Sequence, residues 1–189
     1  MKMIKYFLFL LFLNSVNASA DALSEWTLVP SESSISFTAT QNNAPVTGTF
    51  KEFTAKIVAD PKNYQNSSVV VEVNMNSLTT SYAEITSILQ GSDWFNAKEF
   101  PKAEFKSSKF TKKDDKNYEA TGTLTIKNKS LPVTLTFTAV ESPKDHLIVE
   151  GHTNLKRLDF GIGQGDWSST SEIKDEVTVN FKAVATRKQ

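Results

Sequence analysis

The sequence predicts an all-β domain of about eight strands interrupted by one short helix, and three observations predict it. Apolar and polar residues alternate with period two along most of the chain. Gly, Pro, Asn and Asp punctuate these stretches where tight turns are needed. The alternation fails over Ser81 to Phe95, where Ile85, Ile88 and Leu89 recur at spacings of three and four, as on one face of a helix, and Gly91 is placed to end it.

The strands follow in order. Ile35, Phe37 and Ala39 share one face, and Val46, Gly48 and Phe50 continue it. Phe53, Ala55 and Ile57 resume on the opposite parity, which predicts a bulge near Lys51-Glu52. Val69, Val71, Val73 and Met75 form the next face. Phe105 and Phe110 have opposite parities, so both can point inward only if their strand is bulged. Tyr118 to Ile126 and Leu131 to Ala139 make a hairpin around Lys127-Asn128-Lys129, with Asn128 expected to take the positive φ. Leu147 with Val149, then Leu158, Phe160 and Ile162, then Val177 to Ala185 complete the set. One-sided alternation in this many strands needs a shared apolar interior, which either a two-sheet sandwich or a closed barrel provides.

Residues 1–20 read as a signal peptide. Lys2 and Lys5 form a basic start, Tyr6 to Leu13 is an apolar run far shorter than the ~20 residues of a membrane span, and Ala18-Ser19-Ala20 is a cleavage site. The expected mature chain is a single domain over residues 21–189, periplasmic or secreted, with no integral membrane segment left after cleavage. The chain has no cysteine, which excludes a lipid-modified N-terminal Cys, disulfides, thiol catalysis and thiolate metal sites. Lys+Arg and Asp+Glu number 21 each, and two of the basic residues lie in the leader, so the mature chain has a slight acidic excess and gives no electrostatic case for nucleic acid.

No catalytic motif stands out. Gly161, Gly163 and Gly165 lack the helix that should follow a dinucleotide-binding glycine run, and Asp166 falls where its third glycine belongs, so they read as a flexible loop. His146 and His152, the only histidines, alternate with Leu147 and Val149 and are expected to face solvent. Glu84, Asp93, Asp159 and Asp166 show no spacing that pairs them, and no GxSxG elbow is present. Neither a catalytic residue, a metal ligand nor a cofactor is expected. The chain is instead rich in aromatics, with 13 phenylalanines, of which only Phe7, Phe9 and Phe12 lie in the leader, and three tryptophans. Trp94-Phe95 and the stretch from Phe160 to Trp167 adjoin turns and glycines, as residues at a cavity mouth do.

Several stretches in order resemble the YceI-like family. They are Gly48-Thr49-Phe50 with Phe53, the Val-rich strand with Thr79-Thr80 after it, Glu84 ahead of Leu89, and Ser92-Asp93-Trp94-Phe95-Asn96. Phe100-Pro101-Lys102-Ala103-Glu104-Phe105 is the most specific. Gly122 to Ile126 with Leu131-Pro132-Val133, and Arg157 with Asp159-Phe160-Gly161-Ile162-Gly163, complete the resemblance, which spans nearly all of the mature chain. It implies a lipocalin-like antiparallel β-barrel with one short helix between strands, which binds a polyisoprenoid chain or a related amphiphile in an internal tunnel. One position departs. Many members carry a His two residues before the helix Glu, where this chain has Tyr82, so a head-group role there does not carry over.

The expected function is that of a carrier or sequestering protein whose barrel holds a long-chain isoprenoid, for example a quinone tail, without catalysis. The alternatives are a binder of fatty-acid-like molecules and a barrel-type enzyme acting on a small hydrophobic substrate. The partner is a hydrophobic small molecule or lipid, and a homodimer is left open. The expected ligand-binding residues are Phe37, Phe50, Phe53, Val71, Val73, Met75 and Phe105 on the strands. Ile85 and Leu89 should close one end from the helix, with Trp94, Phe95, Phe160 and Trp167 around the opening. On this reading the exported protein begins at Asp21, and N-terminal sequencing that finds Met1 retained would refute it.

Overall fold

In the computed structural model, residues 23–59, 63–142 and 146–188 are described, so the expected leader and its cleavage point lie outside the described residues. The strands are β1 (Ser24–Leu28), β2 (Ser34–Gln41), β3 (Ala44–Phe50), β4 (Phe53–Ala59), β5 (Ser68–Asn74) and β6 (Leu78–Thr80). Helix α1 (Ala83–Gln90) follows, and then β7 (Lys102–Lys112), β8 (Asn117–Ile126), β9 (Lys129–Ser142), β10 (His146–Lys156) and β11 (Glu176–Arg187). Every pairing is antiparallel. The order β1-β4-β5-β7-β8-β9-β10-β11 returns to β1 through Trp26 opposite Arg187, which closes the barrel. Strands β2, β3 and β6 extend that wall, because β1 with β2, β3 with β4 and β5 with β6 are three long strands, each broken once. The fold is thus an eight-stranded closed barrel with one short helix.

The three breaks are stitched to their neighbours. At Lys51-Glu52, where the alternation predicts a bulge, the Lys51 N–H donates to Ser77 O and the Glu52 N–H to Ser77 Oγ (3.2 and 3.0 Å). Residues Met75–Ser77 are the break of the adjacent long strand, so the two strands bend together. The third break, Val29–Ser33, is tied to β11: Val29 N–H donates to Val184 O at 2.7 Å, and Ser33 Oγ accepts from Val184 N–H at 3.0 Å. A further irregularity in β7 lies between Ser107 and Lys109. It resolves the parity conflict, since Phe105 and Phe110 are both buried.

Three local expectations are corrected. In the β8–β9 turn the positive φ belongs to Lys127 (55°), not to Asn128, and the Lys127 ammonium reaches Gly161 O at 3.0 Å, so the tertiary bond holds a conformation that Asn would adopt more readily. Leu158 and Phe160 do not form a strand; residues Arg157–Phe160 make a 3₁₀ turn that ends in Gly161 at φ 67°. The glycine stretch is a fixed turn. Arg157 is buried, and its guanidinium donates to five backbone carbonyls, those of Ile162, Gly163, Ser169, Ile173 and Lys174, at 3.0–3.2 Å. Gly163 is required there twice over, since its φ is 73° and a Cβ would collide with the guanidinium.

This knot closes one barrel end. Gly163 and Gln164 N–H both donate to Asp93 O (2.7 and 2.8 Å), which ties residues 161–175 to the loop after α1, and Asn42 N–H to Glu172 O (2.8 Å) ties them to the β2–β3 hairpin. Burial pulls the Arg157 pKa below its usual value, against the opposing field of Asp175, and it remains a cation. Among the described residues no helix is long and apolar enough to cross a membrane.

Arg157→Met should lower the thermal midpoint by at least about 5 °C, because buried carbonyls left without a donor cost ~1–3 kcal/mol each. Arg157→Lys should recover only part of the loss, since one ammonium cannot serve five acceptors. A melt of Arg157→Met that matches wild type would show that apolar packing alone holds this end.

Candidate functional site: the barrel lumen

The barrel encloses a cavity of about 440 Å³, within the usual range for ligand pockets. Its wall is almost wholly apolar; among the described residues Glu104, Arg157 and Lys182 are the charged residues along it, and neither histidine and no aspartate lines it. All thirteen residues expected from the sequence line this cavity: Phe37, Phe50, Phe53, Val71, Val73, Met75, Ile85, Leu89, Trp94, Phe95, Phe105, Phe160 and Trp167.

At the closed end, Phe50 packs between Phe37 and Phe95 with ring centroids 6.1 Å apart on each side. Leu89 is buried on the underside of α1, and Ile85 and the partly exposed Ile88 of the same stripe also line the lumen. The placement of Trp94, Phe95, Phe160 and Trp167 differs from the rim expected of them. Trp94 and Phe160 are buried, and Trp94 lies against Trp167 (5.7 Å) with the Arg157 guanidinium over its ring (5.7 Å). They cap the lumen because Arg157 draws residues 161–175 across it. The Trp94 indole N–H is buried without an acceptor among the described residues. Tyr82, at the position of the family's His, is 69% exposed and does not line the cavity.

Sequence reasoning left out the other end. There Tyr64, Tyr118, Phe137 and Phe110 form a chain of ring contacts, with Tyr118 stacked on Phe137 at 5.7 Å. Phe181 also lines the lumen. The signal for Phe137 and Phe181 was available in the alternation of their strands, but that for Tyr64 was not, because it sits in a short 3₁₀ turn.

Three glycines keep the lumen from filling. A Cβ at Gly48 would collide with the Phe37 ring opposite it, one at Gly122 would come within 2.6 Å of the Phe105 ring, and one at Gly151 within 2.7 Å of the Phe181 ring. Each ring can therefore lie along the wall over a bare backbone rather than project across the space.

No group of three or more His, Asp or Glu that could hold a metal ion is found among the described residues. His152 is exposed on the outside of β10. What the lumen offers chemically is desolvation, shape and contact with aromatic rings.

Comparison with known proteins agrees with this architecture. The solved structure of BcnA from Burkholderia cenocepacia superposes with a TM-score of 0.81 at 33% identity, over 84% of this chain and 99% of that one. The Campylobacter jejuni YCEI protein gives 0.64 at 26% identity, over 75% and 84%. A polyisoprenoid binding domain from Saccharophagus degradans shares the fold, with a TM-score of 0.68 at 11% identity over 88% of this chain and 99% of that one. Among sequence relatives, a UPF0312 protein of Photorhabdus laumondii is 35% identical over 133 residues, 67% of this chain and 69% of its own. One of Enterobacter sp. is 40% identical over 88 residues, 47% of this chain and 45% of its own length. The YceI-like domain profile matches residues 26–185, and with these relatives it shows that the chain belongs to the YceI-like family.

Proposed function

We propose that this protein is a periplasmic or secreted carrier that holds a long-chain isoprenoid, or a related amphiphilic lipid such as a quinone tail, in the barrel lumen and does no chemistry on it. The observation that carries the reading is the cavity inside the barrel with an almost wholly apolar wall. An alkyl or isoprenoid chain gains about 0.8 kcal/mol for each CH₂ taken out of water, so a dozen carbons supply roughly 10 kcal/mol before association and ordering costs are subtracted. A wall of rings and branched side chains suffices for that, whereas catalysis would need convergent titratable groups. The same fold is used by the Saccharophagus degradans polyisoprenoid binding domain, which suits a long chain as ligand.

Met75 tests the reading. It is buried at the break between β5 and β6 and lines the lumen, so Met75→Asp places a carboxylate against the ligand at a cost of several kcal/mol unless it is protonated. Thr38→Asp alters a residue that does not line the lumen and should be nearly neutral. Lipid recovered by organic extraction of each folded variant, identified by mass spectrometry, should fall at least about tenfold for Met75→Asp and stay at the wild-type level for Thr38→Asp. Equal lipid content in both folded variants, repeated at Phe50→Asp and Phe105→Asp, would refute the lumen as the binding site.

A further inference from the structure

Among the described residues the pairing of β9 with β10 is incomplete. Strands β9 and β10 pair from Ser142 opposite His146 to Thr136 opposite His152, and there the pairing stops. Both strands continue past that point, β9 paired with β8 down to Lys129 and β10 paired with β11 up to Lys156. Over Lys129–Leu135 and Thr153–Lys156 each strand therefore has a ladder on its other edge and none on the edge that faces its neighbour.

Pro132 keeps the far part of the split from closing. Thr153 Oγ donates to Thr134 O at 2.9 Å, so the Thr134 backbone faces β10, and Pro132, two residues away on the same strand, faces the same way. Pro has no N–H, so β9 lacks a ladder donor toward β10 at that level. The single bond from Thr153, a buried hydroxyl, spans the split where backbone bonds would otherwise run.

The split opens into a second cavity on the outside of the wall, and the two cavities share Val133, Thr153, Leu155 and Phe160. Their chemistry differs. The lumen is apolar, while the outer cavity adds Thr134, Thr136, His152, Asn154, Lys156 and Asp159. With one Lys and one Asp among neutral hydrogen-bonding groups, the slot has no net field to select a charged group.

We propose that this slot is a lateral port: the tail of an amphiphile lies in the lumen, and its neutral, oxygen-bearing head group sits in the slot between β9 and β10. The port rests on the lumen reading above. It gives a use to the stretch of wall that lacks the ladder and to the polar side chains that flank it.

The test uses hexadecylamine carrying a nitrobenzoxadiazole group on its nitrogen, a neutral head on a long tail, with hexadecane as the headless chain. The chain has no cysteine, so a nitroxide label can be placed singly at Thr134→Cys beside the slot or at Thr47→Cys on an exposed part of β3. The fluorescence of the bound probe should be quenched by the label at position 134 and not at 47. In Asn154→Trp, which fills the slot, probe affinity should fall about tenfold or more while hexadecane uptake, measured by gas chromatography of extracts, is unchanged. Quenching at 47 equal to or above that at 134, or a probe affinity unchanged in folded Asn154→Trp, overturns the port. If Asn154→Trp does not fold, the quenching comparison decides. If neither probe nor hexadecane binds the unlabelled wild type, the lumen reading fails, and the port with it.

Discussion

A barrel closes only if its last strand serves two neighbours at once, and here that demand falls on β11. One edge of β11 pairs with β10 along Glu176–Thr186, and the other is divided between β2 at residues 178–182 and β1 at residues 185–187. The first long strand has to break to follow that edge around the curve. It does so at Val29–Ser33, where Ser33 and Val29 together satisfy both backbone groups of Val184. The break at Lys51-Glu52 and the one at Met75–Ser77 are likewise bonded to each other. The pairing of β1 with β11 joins the two ends of the wall, and the bends set the width of the space left inside.

That space survives because large side chains are set against missing ones. Thirteen expected lining residues and the second aromatic chain would fill a small barrel if every ring projected inward. Glycine at positions 48, 122 and 151 lets Phe37, Phe105 and Phe181 lean against the wall instead. Arg157 lines one end of the lumen and closes it there, its guanidinium bonded to five carbonyls of the segment that covers it. A buried cation costs several kcal/mol in desolvation, and the five carbonyl acceptors around Arg157 offset that cost.

Most of the fold and the lumen wall were legible because period-two alternation reports directly which face is inside, and because parity changes report bulges. Phe50 and Phe53, on opposite parities across Lys51-Glu52, are the clearest case, and both line the cavity. The helix was legible from Ile85, Ile88 and Leu89, all three of which line the lumen from α1. What alternation could not show were long-range bonds. The role of Arg157 depends on carbonyls up to 17 residues away, the positive φ of Lys127 on its bond to Gly161 O, and the place of Tyr64 on a turn without period. For the same reason Trp94 and Trp167 read as a rim: their position near glycines was visible, but the guanidinium that draws them into a cap was not.

The split between β9 and β10 is a break in pairing of another kind. The bulges and kinks elsewhere bend the wall and keep it sealed, each with backbone bonds made up by a neighbour. Where Pro132 faces β10, only the Thr153 hydroxyl crosses the gap, although the two strands are otherwise among the longest in the barrel. Unladdered backbone in the middle of a sheet costs stability, and Pro132 removes one donor that could close this stretch. The same Pro lies in the Leu131-Pro132-Val133 stretch that carries part of the resemblance to the family, so the features that mark the fold in the sequence include one that leaves the wall open. A closed apolar lumen suits a tail, but an amphiphile also has a head that must stay hydrated or hydrogen-bonded. A polar slot through the wall accommodates that requirement while the lumen wall stays predominantly apolar.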